Sequence, residues 1–258
     1  MLAVERRNLI LEKLQDEKRV VVGELSEQFE VSEETIRRDL DKLEKMGLAN
    51  KTYGGAVLVE NENTDMPFSV RKKKNMRGKR IIAEIVSELI SDGDHLIMDP
   101  STTIVAIVNA LKDKNKNRLS IVTNSIEVLL EAVDVPGWNL ISTGGSIWEN
   151  YLALVGPKAI ECIGTFNADK VIMSCKGIDM EKGITDSNDM FSQVKSSMLH
   201  SAAKRILVVD HTKFDKVAFS QICEIRDIDL IVTDKRPSDV WMEYLEDKGI
   251  ECLYGEEN

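Results

Sequence analysis

The chain has 258 residues, of which 43% are hydrophobic and 30% are charged, and its formal net charge is −10. That length allows one large domain or two smaller ones, each able to bury a hydrophobic core. So acidic a balance argues against general adhesion to nucleic acid, although it leaves room for one local basic surface.

Several classes of protein are disfavoured by the same sequence. No apolar run approaches the roughly 18 residues that a membrane span needs, so no contact with a membrane is expected. The charges at Glu5, Arg6 and Arg7 come too early for a secretory signal, and a cytoplasmic location is the expectation. The cysteines form no CxxC pair and only three histidines are present, so neither a metal nor a cofactor is expected. The four cysteines are expected to be buried free thiols: Cys162, Cys175, Cys223 and Cys252.

The first part of the chain alternates between helical and β-prone patterns. Residues 5–17 carry apolar side chains at helical spacing and predict a first helix. Leu25 and Phe29 stand four residues apart and predict a short second helix, with Val31 in the tight turn that follows.

The third predicted helix has the clearest pattern. Ser32 is placed to cap its amino end, and Gly47 is placed to cap its carboxyl end. Ile36, Leu40 and Leu43 repeat at spacings of four and three and form one apolar face. The pattern therefore predicts an amphipathic helix packed on the first two.

Two β-prone runs follow, and the Gly54-Gly55 pair between them suits a hairpin turn. Three helices and a hairpin describe a winged helix-turn-helix, which we assign to residues 1–57. In this fold the second helix of the helix-turn-helix enters the major groove of DNA with its amino-terminal residues at the base edges.

DNA contacts are therefore expected on the third helix and on the wing. Base contacts are predicted for Ser32, Thr35 and Arg38, and a bidentate arginine–guanine pair is worth about 1–3 kcal/mol of discrimination. Phosphate contacts are predicted for Arg37, Lys42, Lys51 and the wing at Tyr53 and Gly54, with Arg6 and Arg7 as additions. Charge alone also fits a solvated helix face with i,i+4 ion pairs such as Glu34–Arg38.

Residues 58–77 are mostly polar and are predicted to be a linker. Residues 71–80 contain seven basic residues in ten. This run fits a solvated connector, a second nucleic-acid contact or, through Arg71 and Lys79, a contact with an anionic ligand.

From residue 78 to residue 258, short apolar strands alternate with amphipathic helices. This order predicts an α/β domain with a mostly parallel sheet covered by helices on both faces. Sheets of this kind bind ligands at the carboxyl ends of their strands.

Polar groups and glycines follow several of the predicted strands. Helix amino ends with free N–H groups and hydroxyls, glycine loops and a loop lysine together suit an anionic ligand. Each feature also has a plainer explanation as a helix cap, a turn or a solvated side chain. The candidates for contact with an effector are Asp99, Ser101, Thr102, Thr103, Thr123, Asn124, Gly144, Gly145, Lys176 and Lys213.

The N-terminal runs TIRRDL and YGGA and the later runs MDPSTTI, VTNS, GITD and VVDHTKF resemble the DeoR family of bacterial transcription regulators. The resemblance covers nearly the whole chain. It implies a sensor domain that resembles ribose-phosphate isomerase in fold and binds phosphorylated sugars. Carried over residue by residue, it implies effector contacts at Asp99, Ser101, Thr102, Thr103, Asn124 and Lys213.

Three positions depart from the family's pattern. Tyr53 stands where a histidine is common, and Ser101 stands where glycine is frequent. Lys176 stands where a small or acidic residue is common, so its ammonium either favours a more anionic effector or is solvated.

The resemblance implies a repressor of sugar-metabolism genes that binds operator DNA as a homodimer or homotetramer under the control of a phosphorylated sugar. A phosphosugar isomerase-like enzyme is the alternative, since Asp99, Asp179 and Asp210 are available carboxylates. The attached winged helix, which has no role in an isomerase, favours the regulator.

Overall fold

The computed structural model describes residues 2–46, 48–58, 66–148 and 151–255. The chain divides into two compact units, Met1–Lys74 and Asn75–Asn258. Among the described residues, no helix is both long enough and apolar enough to cross a membrane.

The N-terminal unit is a winged helix-turn-helix, as predicted. Its β1, β3 and β2 strands form an antiparallel sheet in that order. Its elements are α1 (Ala3–Glu17), β1 (Arg19–Val21), α2 (Val22–Phe29), α3 (Glu33–Lys45), β2 (Ala49–Thr52), β3 (Gly55–Leu58) and α4 (Phe68–Lys73).

Helix α3 forms where its pattern predicts it. The Ser32 hydroxyl accepts a hydrogen bond from the Thr35 amide at 3.3 Å and caps the helix. Ile36, Leu40 and Leu43 are buried in the core of the unit. The helix ends at Lys45, and the predicted cap Gly47 lies outside the described residues.

A buried ion pair joins α1 to α3. Asp39 is only 3% exposed and accepts bonds from Arg6 Nε at 2.6 Å and from an Arg7 guanidinium nitrogen at 3.2 Å. Arg6, expected as an additional phosphate contact, has its guanidinium buried against Asp39 in this structure. Arg7 lies nearer the surface but donates to the same carboxylate.

The segment predicted as a linker is partly helical. Residues 68–73 form α4, and Val70 joins the core of the N-terminal unit. Asn75, in the left-handed conformation, begins the second unit and caps the next helix. The predicted linker residues 59–65 lie outside the described residues.

The second unit is built on a seven-stranded parallel sheet, as predicted for a mostly parallel α/β domain. Its helices are α5 (Met76–Leu89), α6 (Thr102–Asp113), α7 (Ile126–Ala132), α8 (Pro157–Ile163), α9 (Asp189–His200) and α10 (Asp239–Asp247). Its strands are β4 (His95–Met98), β5 (Ser120–Thr123), β6 (Asn139–Ser142), β7 (Ser146–Trp148), β8 (Ala153–Val155), β9 (Ala168–Met173), β10 (Gly177–Asp179), β11 (Gly183–Asp186), β12 (Ala202–Val208), β13 (Ser220–Cys223), β14 (Leu230–Thr233) and β15 (Glu251–Tyr254).

The strand order of the large sheet is β15-β14-β12-β9-β4-β5-β6. Leu96, Ile97 and Met98 are consecutive and fully buried, so both faces of β4 are covered. From β4 the chain proceeds outward through β5 and β6, and then returns to β9 on the other side of β4. The sheet therefore has a topological switch point between β4 and β9, where sheets of this kind bind their ligands.

Two small antiparallel sheets complete the unit. Strands β7 and β8 form a hairpin, and β10, β11 and β13 form a three-stranded sheet. The alternation of strands and helices in the sequence did not predict the three-stranded sheet.

We predict that Asp39→Asn lowers the free energy of unfolding of the N-terminal unit by about 3–5 kcal/mol, because the Arg6 guanidinium is left buried without its partner. All three tryptophans, Trp138, Trp148 and Trp241, lie in the second unit. Urea unfolding followed by far-UV circular dichroism should therefore show an earlier transition, while the tryptophan fluorescence transition keeps its midpoint.

The matched control is Asp41→Asn, which removes a carboxylate that is 46% exposed and paired with Lys51. Its effect should stay below about 1 kcal/mol. Equal effects of the two substitutions would contradict the structural role given to Asp39.

Candidate functional site

The predicted DNA contacts on α3 lie on its solvent-facing side. Arg37 is paired with Glu33 at 2.6 Å and Arg38 with Glu34 at 3.2 Å, both at i,i+4 spacing. The Arg38 side chain is 75% exposed. The i,i+4 ion pairs that the sequence offered as an alternative to DNA contacts are therefore present in this structure. Exposed pairs of this kind are worth about 0.3–0.5 kcal/mol, so a phosphate or a base can replace the carboxylate at little cost.

The wing lies beside α3. The Lys51 ammonium on β2 contacts Asp41 on α3, and this bond raises the pKa of Lys51. The Lys51 amide also donates to Glu44 at 2.9 Å. Tyr53 and Gly54 form the exposed turn between β2 and β3. The structure thus brings the predicted contacts of the helix and of the wing onto adjacent elements.

Among the remaining predicted contacts at α3, Lys42 is exposed, whereas Ser32 and Thr35 take part in the helix cap. The Ser32 hydroxyl is engaged as the cap and lies 2.9 Å from the Thr35 hydroxyl. A base contact by the Ser32 or Thr35 hydroxyl would therefore have to form while Ser32 still caps the helix.

At the switch point of the large sheet, a buried lysine joins the residues that follow β4 and β9 to the end of β11. Lys195 Nζ on α9 lies 2.6 Å from Asp186 Oδ2, 3.0 Å from Asp99 Oδ2 and 2.7 Å from the Ser174 carbonyl oxygen. Asp186 is the last residue of β11, whereas Asp99 and Ser174 directly follow β4 and β9. Lys195, which was not among the predicted site residues, is therefore the group that holds the loops of this edge together.

The charges of this cluster are stabilised by their neighbours. Burial opposes the charge on Lys195, but Asp186 and Asp99 outweigh it and raise the pKa of the ammonium. Burial likewise opposes ionisation of Asp186, but the Lys195 ammonium outweighs it and lowers the pKa of the carboxyl. The pair is therefore charged at neutral pH.

Asp99 was predicted to contact an effector, but the structure buries it completely. Its oxygens accept bonds from the Ser101 and Ser174 amides, each at 3.1 Å, and from Lys195. In this structure Asp99 supports the loop that precedes α6, and its contact with an effector stays a prediction.

The hydroxyl groups around α6 are mostly engaged within the protein. Ser101 caps α6 by accepting from the Ile104 amide at 3.3 Å, and Thr102 and Thr103 are nearly buried in its first turn. Thr123 Oγ1 donates to the Met98 carbonyl oxygen at 2.7 Å and ties β5 to β4. Helix capping, the plainer explanation given above, therefore accounts for Ser101. Thr123 instead joins two neighbouring strands.

Asn124 differs from its neighbours because part of its side chain is unsatisfied. Its Nδ2 donates to the Leu154 carbonyl oxygen at 2.9 Å, whereas its buried Oδ1 has no hydrogen-bond partner among the described residues. Buried polar atoms are nearly always paired, so this acceptor lacks the donor that such an atom ordinarily has.

The two glycines after β6 both have positive φ, but only Gly145 is closely packed. Gly145 has φ +117°, and a Cβ atom there would lie 2.6 Å from the Val155 carbonyl oxygen. It therefore permits the close approach of the β8 strand. Gly144 has φ +65° and open space around it.

Two lysines that were predicted to contact the effector, Lys176 and Lys213, are partly exposed at this edge of the sheet. Lys176 follows β9, and its ammonium lies 5.5 Å from the centre of the Tyr151 ring. Lys213 ends a short 3-10 turn, His211–Lys213, which Asp210 caps by accepting from the Thr212 amide at 3.0 Å. These cations lie on loops that follow β9 and β12, two neighbouring strands of the sheet.

The cysteines are all free, but only Cys175 is buried and the other three are partly exposed. The expectation of buried thiols is therefore correct for Cys175 alone. Burial raises the pKa of Cys175 to about 12 and that of Cys252 to about 11, so neither supplies a thiolate at neutral pH. No cluster of residues suited to a metal ion occurs among the described residues.

Two surface depressions lie elsewhere. One of about 550 Å³ lies beside α10 and the start of β15, and one of about 660 Å³ lies beside the ends of α6 and α7. Neither contains a predicted contact residue.

Comparison with known proteins identifies the family. Residues 6–62 match the model of the DeoR-like helix-turn-helix domain, and residues 74–235 match the model of the DeoR C-terminal sensor domain. The chain belongs to the DeoR family of transcriptional regulators.

Similar DeoR-family proteins match most of the length of the chain. The HTH-type transcriptional regulator YulB of Bacillus subtilis is 34% identical over 97% of this chain and 96% of its own. The transcriptional repressor AccR of Agrobacterium fabrum is 34% identical over 89% of both chains. The HTH-type transcriptional repressor GlcR of Bacillus subtilis is 32% identical over 98% of this chain and 97% of its own. These relatives are regulators, and the alternative of an isomerase-like enzyme is not supported.

Solved structures resemble parts of the chain in fold. A crystal structure of eIF2B delta from Chaetomium thermophilum covers 62% of this chain and 56% of its own, with TM-score 0.46 and 13% identity. A D-ribose-5-phosphate isomerase in complex with phospho-erythronic acid covers 53% of this chain and 52% of its own, with TM-score 0.39 and 14% identity. Similarity at this level says nothing about activity.

We predict that Lys195→Met lowers the free energy of unfolding of the second unit by about 3–5 kcal/mol at pH 7, because two buried carboxylates lose their cation. Urea unfolding followed by tryptophan fluorescence measures this effect. Lys204→Met is the matched control, since the Lys204 side chain is 43% exposed and its ammonium lies 4.0 Å from Glu251.

The same variant should have a distinct pH dependence. The lowered pKa of Asp186 stabilises the wild type above the ordinary carboxyl range, and this contribution is lost as the pH falls. In Lys195→Met the buried Asp186 carboxyl has lost its cation and protonates more readily, so acid relieves part of the defect. The gap between wild type and variant should narrow from pH 7 to about pH 4, and a constant gap would contradict the assignment.

Proposed function

We propose that this DeoR-family chain is a cytoplasmic repressor of sugar-metabolism genes. It binds operator DNA as a homodimer or homotetramer, and a phosphorylated sugar at the switch point of its sensor sheet controls that binding. The observation that carries the DNA half is Arg38, which projects 75% exposed from the capped helix α3 beside an exposed wing. Similar proteins bear names such as the putative aga operon transcriptional repressor and the L-fucose operon activator, both of Escherichia coli.

Recognition of DNA by this unit separates into two kinds of contact. Arg38 and Thr35 stand near the start of α3, where a recognition helix meets base edges. Arg37, Lys42, Lys51 and the wing turn at Tyr53 and Gly54 supply phosphate contacts, which position the unit and carry no sequence information. The acidic remainder of the chain limits non-specific binding.

The proposed effector site combines cationic and hydrogen-bonding groups. Lys213 and Lys176 give it positive charge, and the amino end of α6 behind Ser101 adds free N–H groups. Asn124 Oδ1 needs a donor, which a sugar hydroxyl provides and a phosphate dianion does not. These groups support a ligand that carries both a phosphate and hydroxyls, and inorganic phosphate should bind more weakly.

We predict that Arg38→Ala weakens binding to a preferred duplex by about 1–3 kcal/mol and relaxes its sequence preference, because a base contact is lost. Arg37→Ala should weaken all duplexes alike and reduce the salt dependence by about one phosphate contact. The duplex is selected from a random-sequence library by the wild-type protein, and affinities are measured by fluorescence anisotropy.

Arg226→Ala serves as the control, since Arg226 is 71% exposed and paired with Glu224 in the second unit. A second matched variant, Glu34→Gln, frees Arg38 from its carboxylate and should bind DNA at least as tightly as wild type. Wild-type affinity in Arg38→Ala would remove Arg38 from the interface.

We also predict that Lys213→Gln keeps DNA affinity and loses the response to effector, because the variant removes only a charge in the sensor. The response is the change in anisotropy when pentose 5-phosphates and hexose 6-phosphates are added singly. Lys182→Gln, at an exposed lysine between β10 and β11, is the control. A full response in Lys213→Gln would exclude Lys213 from the site.

A further inference from the structure

Asp234 joins parts of the second unit that are distant in sequence. It follows β14, is 4% exposed, and accepts hydrogen bonds from the His211 amide at 2.6 Å and from His211 Nδ1 at 2.8 Å. His211 opens the short turn that ends at Lys213. The carboxylate therefore fixes the loop that carries a proposed effector contact.

The same carboxylate is bonded to the start of the unit. Asn75 Nδ2 donates to Asp234 Oδ2 at 3.3 Å, while Asn75 Oδ1 accepts from the Gly78 amide at 3.2 Å and caps α5. Asn75 is the first residue of the second unit and directly follows Lys74, the last residue of the DNA-binding unit. Asp234 thus links the loop after β12 to the residue at which the chain enters the sensor.

Asp234, Asn75 and Gly78 are closely packed around these hydrogen bonds. A Cβ atom on Gly78 would lie 2.5 Å from Asp234 Oδ2 and 2.5 Å from Asn75 Nδ2. Burial opposes ionisation of Asp234, but bonds from His211 and Asn75 outweigh it and lower the pKa of the carboxyl. A charged, buried acceptor with two short bonds from His211 and a longer one from Asn75 has few alternative arrangements, so a shift of one donor alters the bonds to the others.

We propose that Asp234 is a positioning residue that couples the loop Asp210–Lys213 to the first turn of α5. A ligand phosphate held at Lys213 changes the position of His211, Asp234 follows, and the hydrogen bond to Asn75 is altered at the entry to the sensor unit. The inference rests on the proposed effector site. Such coupling requires that the ligand bind one arrangement of the loop more tightly than the other.

Hydrogen–deuterium exchange of the full-length protein tests the coupling, because it reports local opening segment by segment. The probes are ribose 5-phosphate, glucose 6-phosphate and inorganic phosphate, each added separately. In the wild type a bound probe should slow exchange in residues 209–216 and also change exchange in residues 75–80.

Two variants interrupt the proposed connection at different points. His211→Ala removes the ring bond to Asp234 and retains the main-chain bond. Asn75→Gly removes the bond on the other side of Asp234, and glycine accepts the φ of +47° at this position. In both, protection of 209–216 should persist while the change at 75–80 is lost.

A second histidine–aspartate pair supplies the control. The His95 amide donates to Asp169 Oδ2 at 2.8 Å, and His95 Nδ1 lies 3.1 Å from the same oxygen. This pair lies at the amino-terminal edge of the sheet, so His95→Ala should respond as the wild type does.

The possible results separate the two proposals. Protection of 209–216 without any change at 75–80 in the wild type would overturn the coupling and leave the effector site standing. Persistence of both changes in His211→Ala and in Asn75→Gly would overturn it as well. If no probe protects 209–216 in the wild type, the effector site at Lys213 fails and the coupling fails with it.

Discussion

The sensor unit depends on one buried cation, the ammonium of Lys195. It contacts Asp99 and the Ser174 carbonyl oxygen, which follow β4 and β9, and Asp186 at the end of β11. Replacing such a cluster with apolar residues can be neutral for stability, so its value lies in fixing a single arrangement. Here that arrangement places the amino end of α6 and the loop after β9 at the switch point. The proposed ligand groups are positioned by contacts that a ligand itself does not touch.

The DNA-binding unit uses the same device on a smaller scale. In the run Arg37-Arg38-Asp39, successive side chains are turned about 100° apart around the helix. Asp39 therefore points inward to Arg6 and Arg7 of α1, while Arg37 and Arg38 remain at the surface. The buried pair sets the orientation of α3, and the two outward arginines hold only exposed carboxylates that DNA can displace. This arrangement explains why an acidic chain keeps adjacent arginines in its third helix.

Local patterns predicted most of the fold, because helix and strand periodicities reflect which faces are buried. Ile36, Leu40 and Leu43 defined α3, and alternating apolar strands defined the parallel sheet. Contacts between distant residues were not predictable: Asp99 after a strand looks the same whether it faces a ligand or Lys195, which lies 96 positions later. One signal was available, since Lys195 falls four residues after Phe191 within the buried stripe of α9. Helix α4 and the sheet of β10, β11 and β13 were missed because their runs are too short to show a period.

The most direct test of the account is a titration of the wild-type protein on a labelled duplex, selected from a random-sequence library, in the presence of single sugars and their phosphates. We expect at least one sugar phosphate to change the Kd for DNA, whereas the corresponding free sugar and inorganic phosphate leave it nearly unchanged. Linkage then requires DNA to change the affinity for that sugar phosphate by the same factor. A Kd that no sugar phosphate alters, across pentose and hexose phosphates, would contradict the proposed control of DNA binding.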